Sequence, residues 1–242
     1  MINFDNKTAL VTGASGSIGS TTAKLLHSLG ATVVLSGTNE AKLQELAKDM
    51  KNERCSIKVC DLSDHQQTQS LVEDIDNLDI LVCNAGITQD ALSIKMPLKS
   101  FQEVLDINLV SSFILNKAAI TKMIKKRYGR IINVSSVVGF IGNPGQANYC
   151  ASKAGLVAMS KAIAAEIATR GVTINCVAPG FIESNMTNKL SSEQKEYLYN
   201  KIPAKRFGSS LDVTNAIAFL ASQQSSYING NTIHVNGGML ML

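Results

Sequence analysis

The 242-residue sequence predicts a single α/β domain, a doubly wound parallel sheet of about seven strands with helices on both faces. Three observations predict it. Short apolar runs at 8–11, 32–35, 55–60, 79–83, 130–134, 172–177 and 231–235 alternate with helix-length segments from one end to the other. The first run leads directly into Thr12-Gly13-Ala14-Ser15-Gly16-Ser17-Ile18-Gly19, and a helical pattern of Ala23, Leu25, Leu26 and Leu29 follows. No Pro/Gly/Ser-rich linker interrupts the chain, so residues 1–242 read as one domain.

Composition narrows the function classes. With 45% hydrophobic and 17% charged residues, the chain buries a core and is not disordered. A formal net charge of +4 is far from the dense cationic footprint of a nucleic-acid binder, although it leaves room for an acidic partner. The five cysteines are odd in number and lack C-x-x-C spacing, which predicts neither a disulfide framework nor a metal site. The first residues show no basic segment followed by an apolar one, so a cytoplasmic location is expected. The longest uncharged run, 131–152, is too rich in Asn, Ser, Gln and Pro to be a membrane helix.

The glycine-rich turn reads as a phosphate turn. Glycine permits a tight bend and close approach of a pyrophosphate, whose charge is favoured by the free N–H groups at a helix N-terminus. The second strand ends Ser36-Gly37-Thr38-Asn39, with no acid to hold ribose hydroxyls, which favours NADP(H) over NAD(H). The third and fourth strands end Cys60-Asp61-Leu62 and Cys83-Asn84-Ala85-Gly86. Asp61 is placed to accept from an adenine amino group, and Ala85 and Gly86 leave space for backbone approach. Residues 1–95 are thus the mainly dinucleotide-binding half, and 96–242 the catalytic half.

A helix is expected over 101–126, apolar around much of its circumference, with one polar intruder, Asn108. A subunit interface is one way to cover its second side. Its basic end, Lys122 to Arg130, offsets a helix macrodipole or docks an anionic partner. Ser63-x-x-Gln66, Ser100-x-x-Glu103 and Ser209-x-x-Asp212 read as capping boxes. The fifth strand delivers Ser135 and Ser136 to the same sheet edge, and the sixth ends in a sharp turn, 178–184. A polar helix over 191–201 follows, and the insertion 184–205 reads as a lid.

Between those strands, Tyr149 and Lys153 stand at i and i+4 in a helical pattern that runs to Arg170-Gly171. A phenol with an ordinary pKa of about 10 is a poor acid near neutrality, and a neighbouring cation favours its ionised form. The pair suits the movement of one proton.

Taken in order, Gly13/Gly19, Asn84-Ala85-Gly86, Asn108, Ser136, Tyr149 with Lys153, and Pro179-Gly180 resemble the short-chain dehydrogenase/reductase family over nearly the whole chain. The segments 133–139, 145–149, 177–183 and 234–239 resemble the members that reduce 3-oxoacyl groups on acyl carrier protein in bacterial fatty-acid synthesis. The resemblance implies a Rossmann-type fold, an NADP(H) cofactor and a homotetramer. It also implies that Tyr149 donates the proton, Ser136 holds the substrate oxygen, Lys153 lowers the Tyr149 pKa and binds the nicotinamide ribose, and Asn108 supports a water chain. Gly13, Ser15, Ser17, Ile18, Gly19, Thr38, Asp61, Leu62, Asn84, Ala85, Gly86, Pro179, Gly180, Ile182 and Ser184 would bind the cofactor with Tyr149 and Lys153. Arg127 and Arg170 match carrier-docking positions, and side-by-side packing of their helices would set both at one entrance. One departure stands out: the family's T-G-x-x-x-G-x-G turn has Ser17 at its second glycine, and Gly16 where NADP users often carry Arg. A related reductase of a free ketone, sugar or acyl-CoA would share the same catalytic set, and a non-catalytic dinucleotide sensor would share the turn.

Overall fold

The computed structural model describes residues 2–183 and 191–242. Its sheet has seven strands in the order β3-β2-β1-β4-β5-β6-β7, every neighbouring pair parallel. The strands are β1 (Thr8–Val11), β2 (Thr32–Gly37), β3 (Cys55–Val59), β4 (Ile80–Cys83), β5 (Gly129–Val134), β6 (Val172–Pro179) and β7 (Thr232–Val235). Winding reverses between β1 and β4, which opens a crevice beyond their carboxyl ends.

Alternation along the strands sorts the core into two layers. Ala9, Val11, Val33, Leu35, Val82, Ile132 and Val177 face one way, against α1 (Ser17–Ser28), α2 (Glu40–Asp49) and the helix Ser210–Ala221. Leu10, Val34, Leu81, Ile131 and Ile174 face the other, against α3 (His65–Glu73), α5 (Ser111–Lys126) and α7 (Ala147–Ile167). Strands buried on both faces read as continuous apolar runs, as these do.

Two of the three expected caps lie elsewhere. The Ser209/Asp212 box is present, with both reciprocal bonds made. At α3 the cap is Asp64, whose carboxylate accepts from the N–H groups of Gln66 at 2.9 Å and Gln67 at 3.0 Å. A carboxylate one residue on displaces Ser63, because it serves two orphan donors at once. Ser100 caps nothing: α4 (Leu98–Leu105) starts earlier, behind Pro97, whose fixed φ of −63° suits a helix entrance.

The helix expected over 101–126 therefore begins at Leu98, and it is interrupted by a π-helical segment, Asp106–Val110. Leu98–Lys126 is long and apolar enough to cross a membrane by length and composition alone. Here its polar residues Asn108, Ser111, Ser112 and Asn116 are buried against the rest of the domain. Val110 and Phe113 stay exposed on its other side. Of the segment read as a lid, residues 184–190 lie outside the described residues. The remainder forms the helix Ser192–Asn200, and its far end is anchored by buried Ile202 and by Phe207, whose ring lies 4.7 Å from Tyr199.

Candidate active site

The loops at the carboxyl ends of the strands enclose a cavity of about 640 Å³. Nearly all the residues marked from sequence line it. Gly13, Ser15, Ser17 and Ile18 follow β1, Thr38 follows β2, and Asp61 with Leu62 follows β3. Asn84, Ala85 and Gly86 come from the end of β4, Ser136 from beyond β5, Tyr149 and Lys153 from α7, and Pro179, Gly180 and Ile182 from the end of β6. Ser184 lies outside the described residues.

The phosphate turn is held from beneath. Gly13 has φ +62°, and a Cβ there would come within 2.9 Å of the Ala85 Cα. A Cβ on Gly19 would collide with the Gly13 carbonyl and come within 2.8 Å of the Asn84 amide nitrogen. Only glycine serves at either position. The Asn84 side chain donates to the carbonyls of Thr12 and Gly13 at 3.0 and 3.2 Å. Thr12, not marked from sequence as a site residue, accepts on its hydroxyl from the backbone N–H groups of Asn84 and Ala85 at 3.1 and 3.2 Å. A threonine at a strand end gives no periodic signal, so only the fold reveals that it joins β1 to β4. The bare backbone cradle at the N-terminus of α1 fits the phosphates of a dinucleotide.

Around the reactive end, Lys153 is buried and its amine donates to the Val134 carbonyl at 2.8 Å, with the ammonium 5.5 Å from the Tyr149 ring centroid. Burial lowers its pKa to about 8. Burial raises the Tyr149 phenol, and the Ser136 hydroxyl pulls it back down. The hydrogen bond from Ser136 thus favours the phenolate against burial. The Lys153 ammonium, held by the Val134 carbonyl, stands on the Tyr149 ring side of the cavity. Ser135 was read only as a strand-end hydroxyl; its Oγ donates to the Lys153 carbonyl at 2.9 Å and so fixes the helix turn that carries the lysine.

Asn108 is brought close without lining the cavity. Its amide oxygen accepts from the Ile87 N–H at 2.8 Å, and its nitrogen donates to the Ile87 carbonyl at 3.0 Å and to the Ser152 hydroxyl at 3.2 Å. Ser152 donates in turn to the Tyr149 carbonyl at 2.8 Å. These bonds lock the loop after β4 to the tyrosine helix.

Arg127 and Arg170 are indeed neighbours: the Arg127 guanidinium donates to the Thr169 carbonyl at 3.0 Å. They do not flank this cavity. Each lies two positions before the first residue of a strand, β5 or β6, so both stand at the amino edge of the sheet. At 1.5 Å per residue, the helical run from Tyr149 puts Arg170 roughly 30 Å away.

A buried Lys with a partly exposed Tyr and Ser, beside a glycine cradle at the switch point of a parallel sheet, defines a nicotinamide-dependent oxidoreductase site. The chain belongs to the short-chain dehydrogenase/reductase family: residues 13–240 match the family described as enoyl-(acyl carrier protein) reductase. It is 58% identical over 242 residues, the full length of both chains, to the 3-oxoacyl-[acyl-carrier-protein] reductase FabG of Rickettsia bellii. The FabG of Escherichia coli is 45% identical over 245 residues, again with both chains fully covered. Nodulation protein G of a Rhizobium species is 48% identical over 246 residues, also at full coverage. Among solved structures, a putative gluconate dehydrogenase from Agrobacterium tumefaciens superposes with a TM-score of 0.95 at 30% identity, covering 99% of this chain and 98% of that one.

Proposed function

We propose that this chain reduces 3-oxoacyl-[acyl-carrier-protein] to the 3-hydroxyacyl form in fatty-acid biosynthesis, with NADPH as reductant, in the cytoplasm and as a homotetramer. The observation that carries the reading is the convergence of Tyr149, Ser136 and Lys153 in one cavity with the phosphate cradle. Full-length relatives named for that reaction support the substrate.

The cofactor supplies the hydride that the β-keto carbon receives. The residues do the rest. Ser136 donates a hydrogen bond to the keto oxygen and fixes its position. Tyr149 gives its phenolic proton to that oxygen as negative charge grows, and its raised pKa keeps the proton in place at neutral pH until then. Lys153, whose amine donates to the Val134 carbonyl, would hold the ribose of the cofactor and offset the phenolate left behind. Thr38 and Ser15, which line the cavity, would hold the adenosine 2′-phosphate, and no acid at the end of β2 would repel it.

Arg127 and Arg170 dock the acidic carrier. Their distance from this chain's own cavity means that a carrier held there serves the cavity of a neighbouring subunit. The direct test is NADPH oxidation with acetoacetyl-carrier protein set against a free β-keto ester or acyl-CoA. A kcat/KM well above that for the free substrates is expected with the carrier-linked one. Equal or better turnover of a sugar or simple ketone would assign the chain to another branch of the family.

A further inference from the structure

The family turn has a second glycine where this chain has Ser17, and the structure gives that serine a partner 193 positions away. Ser17 is the first residue of α1, and its φ is ordinary, unlike that of Gly13, so a side chain costs the backbone nothing there. Its hydroxyl lies 2.6 Å from the hydroxyl of Ser210, the first residue of the helix Ser210–Ala221. About one turn further along both helices the contact is repeated by Thr22 and Thr214, 3.2 Å apart and buried.

Ser210 is itself held in place. Ser209 caps its helix, Asp212 closes the box by accepting from the Ser209 N–H at 2.7 Å, and Arg206 bonds Asp212 at 3.0 Å. Gly208, two residues before Ser210, donates its N–H to the Phe181 carbonyl at 2.9 Å and accepts from the Glu183 N–H at 2.8 Å. Ile182, between those two, lines the cavity at the end reached from β6. An unbroken path of hydrogen bonds and short covalent steps therefore joins the phosphate turn to the exit of β6.

We propose that Ser17 and Ser210 form a positioning contact that keeps the phosphate turn and the 181–183 segment in register, so that the two ends of the dinucleotide are bound as one unit. The contact replaces freedom that a glycine would leave at the start of α1. It rests on the dinucleotide reading of the cavity. If the pair merely joined two helices at the surface, its loss would lower thermal stability and leave the cofactor's affinity alone.

A double-mutant cycle read by NADPH titration decides the matter. Ser210→Ala, outside the cavity, is expected to weaken NADPH binding about three- to tenfold, the size of one net hydrogen bond, with KM for NADPH rising in step and kcat little changed. Ser17→Ala should act similarly, the double variant should be no worse than either single one, and Ser210→Thr should restore affinity. Binding within twofold of wild type in Ser210→Ala, multiplying effects in the double variant, or a lower melting temperature at constant affinity would each overturn the proposal. Absence of NADPH binding by the wild type overturns the cofactor reading and this proposal together, whereas wild-type binding with an indifferent Ser210→Ala overturns this proposal alone.

Discussion

As the proposed proton donor, Tyr149 depends on the neighbours arranged around it, and single substitutions separate their parts. Tyr149→Phe removes the hydroxyl and nothing else; kcat is expected to fall by about 10²–10⁴-fold, as for loss of a general acid, with NADPH affinity largely kept. Steady-state rates beside a cofactor titration check this, and near-normal turnover refutes the assignment. Lys153 makes a prediction about pH. Its folded pKa is about 8 against an ordinary 10.5, so between those values the unfolded chain holds a proton that the folded chain has released. This group's contribution to stability therefore rises as pH climbs from about 8 to about 10.5. Urea melts of the cofactor-free enzyme should show the gap between wild type and Lys153→Met moving in favour of wild type across that window; a constant gap contradicts the shift. The proposed preference for NADPH is tested at residues of the cavity near the end of β2. Gly16 has φ −85°, and a Cβ there would meet only the Gly13 carbonyl, at 3.4 Å, so Gly16→Arg is sterically admissible and should raise the preference for NADPH. Thr38→Asp should move it towards NADH by repelling the 2′-phosphate. The ratio of kcat/KM for the two cofactors measures both, and a ratio indifferent to either change removes these positions from the 2′-phosphate site.

The π-helical segment Asp106–Val110 is the element that the hydrophobic pattern concealed. Periodicity predicts one continuous helix, and the apolar residues on either side do pack as one; the wider turn is imposed by Asn108, which must reach both backbone groups of Ile87. Asn108→Ala strands those groups in a buried site, and a stability loss of about 1–3 kcal/mol is expected, with kcat reduced because the loop after β4 and the tyrosine helix lose their tie. Asn108→Asp keeps the acceptor for the Ile87 N–H and should lose less in denaturant melts; if both variants are as stable as wild type, the tie is not what shapes the segment. The same contrast marks what was legible in the chain. Strands, their parallel pairing and the sheet edge that gathers the site follow from alternation of short apolar runs with helices, because burial on both faces dictates composition. The glycine turn and the Tyr149/Lys153 pair were legible because their spacing is local, and Ser136 only through the family resemblance; folding brings them to one cavity. Thr12, Ser135 and Ser152 were not, since each acts through a backbone group brought near only by folding. The cap at Asp64 was misplaced by one residue because serine and aspartate compete for the same orphan N–H groups.

The molecule as a whole presents its chemistry at the carboxyl edge of the sheet and its paired arginines at the amino edge, and the docking proposal must satisfy both facts. Exposed Val110 and Phe113 on the helix that ends at Arg127 are suited to burial against a second copy, which would bring one subunit's arginines towards another's cavity. The competing account is local: Arg127 ends α5 with φ +52° and bonds the Thr169 carbonyl, so it already serves as a helix-end cation worth about 0.3–1 kcal/mol. Charge reversal separates the two by substrate. Arg127→Glu and Arg170→Glu should raise KM for acetoacetyl-carrier protein and leave that for a free β-keto ester near wild type, because complementary charge chiefly steers association. The difference should shrink at high salt, because the screening length falls from about 10 Å at 0.1 M to about 3 Å at 1 M. If each variant loses activity equally on carrier-linked and free substrates, the arginines act through the fold alone. If neither loses any, the acidic carrier docks elsewhere. Mixing Arg127→Glu subunits with Tyr149→Phe subunits extends the test to the assembly: docking on one subunit and reaction in another predicts recovery of carrier-dependent turnover in the mixed oligomer, since it alone contains intact arginines facing an intact tyrosine. Docking and reaction within one subunit predicts none.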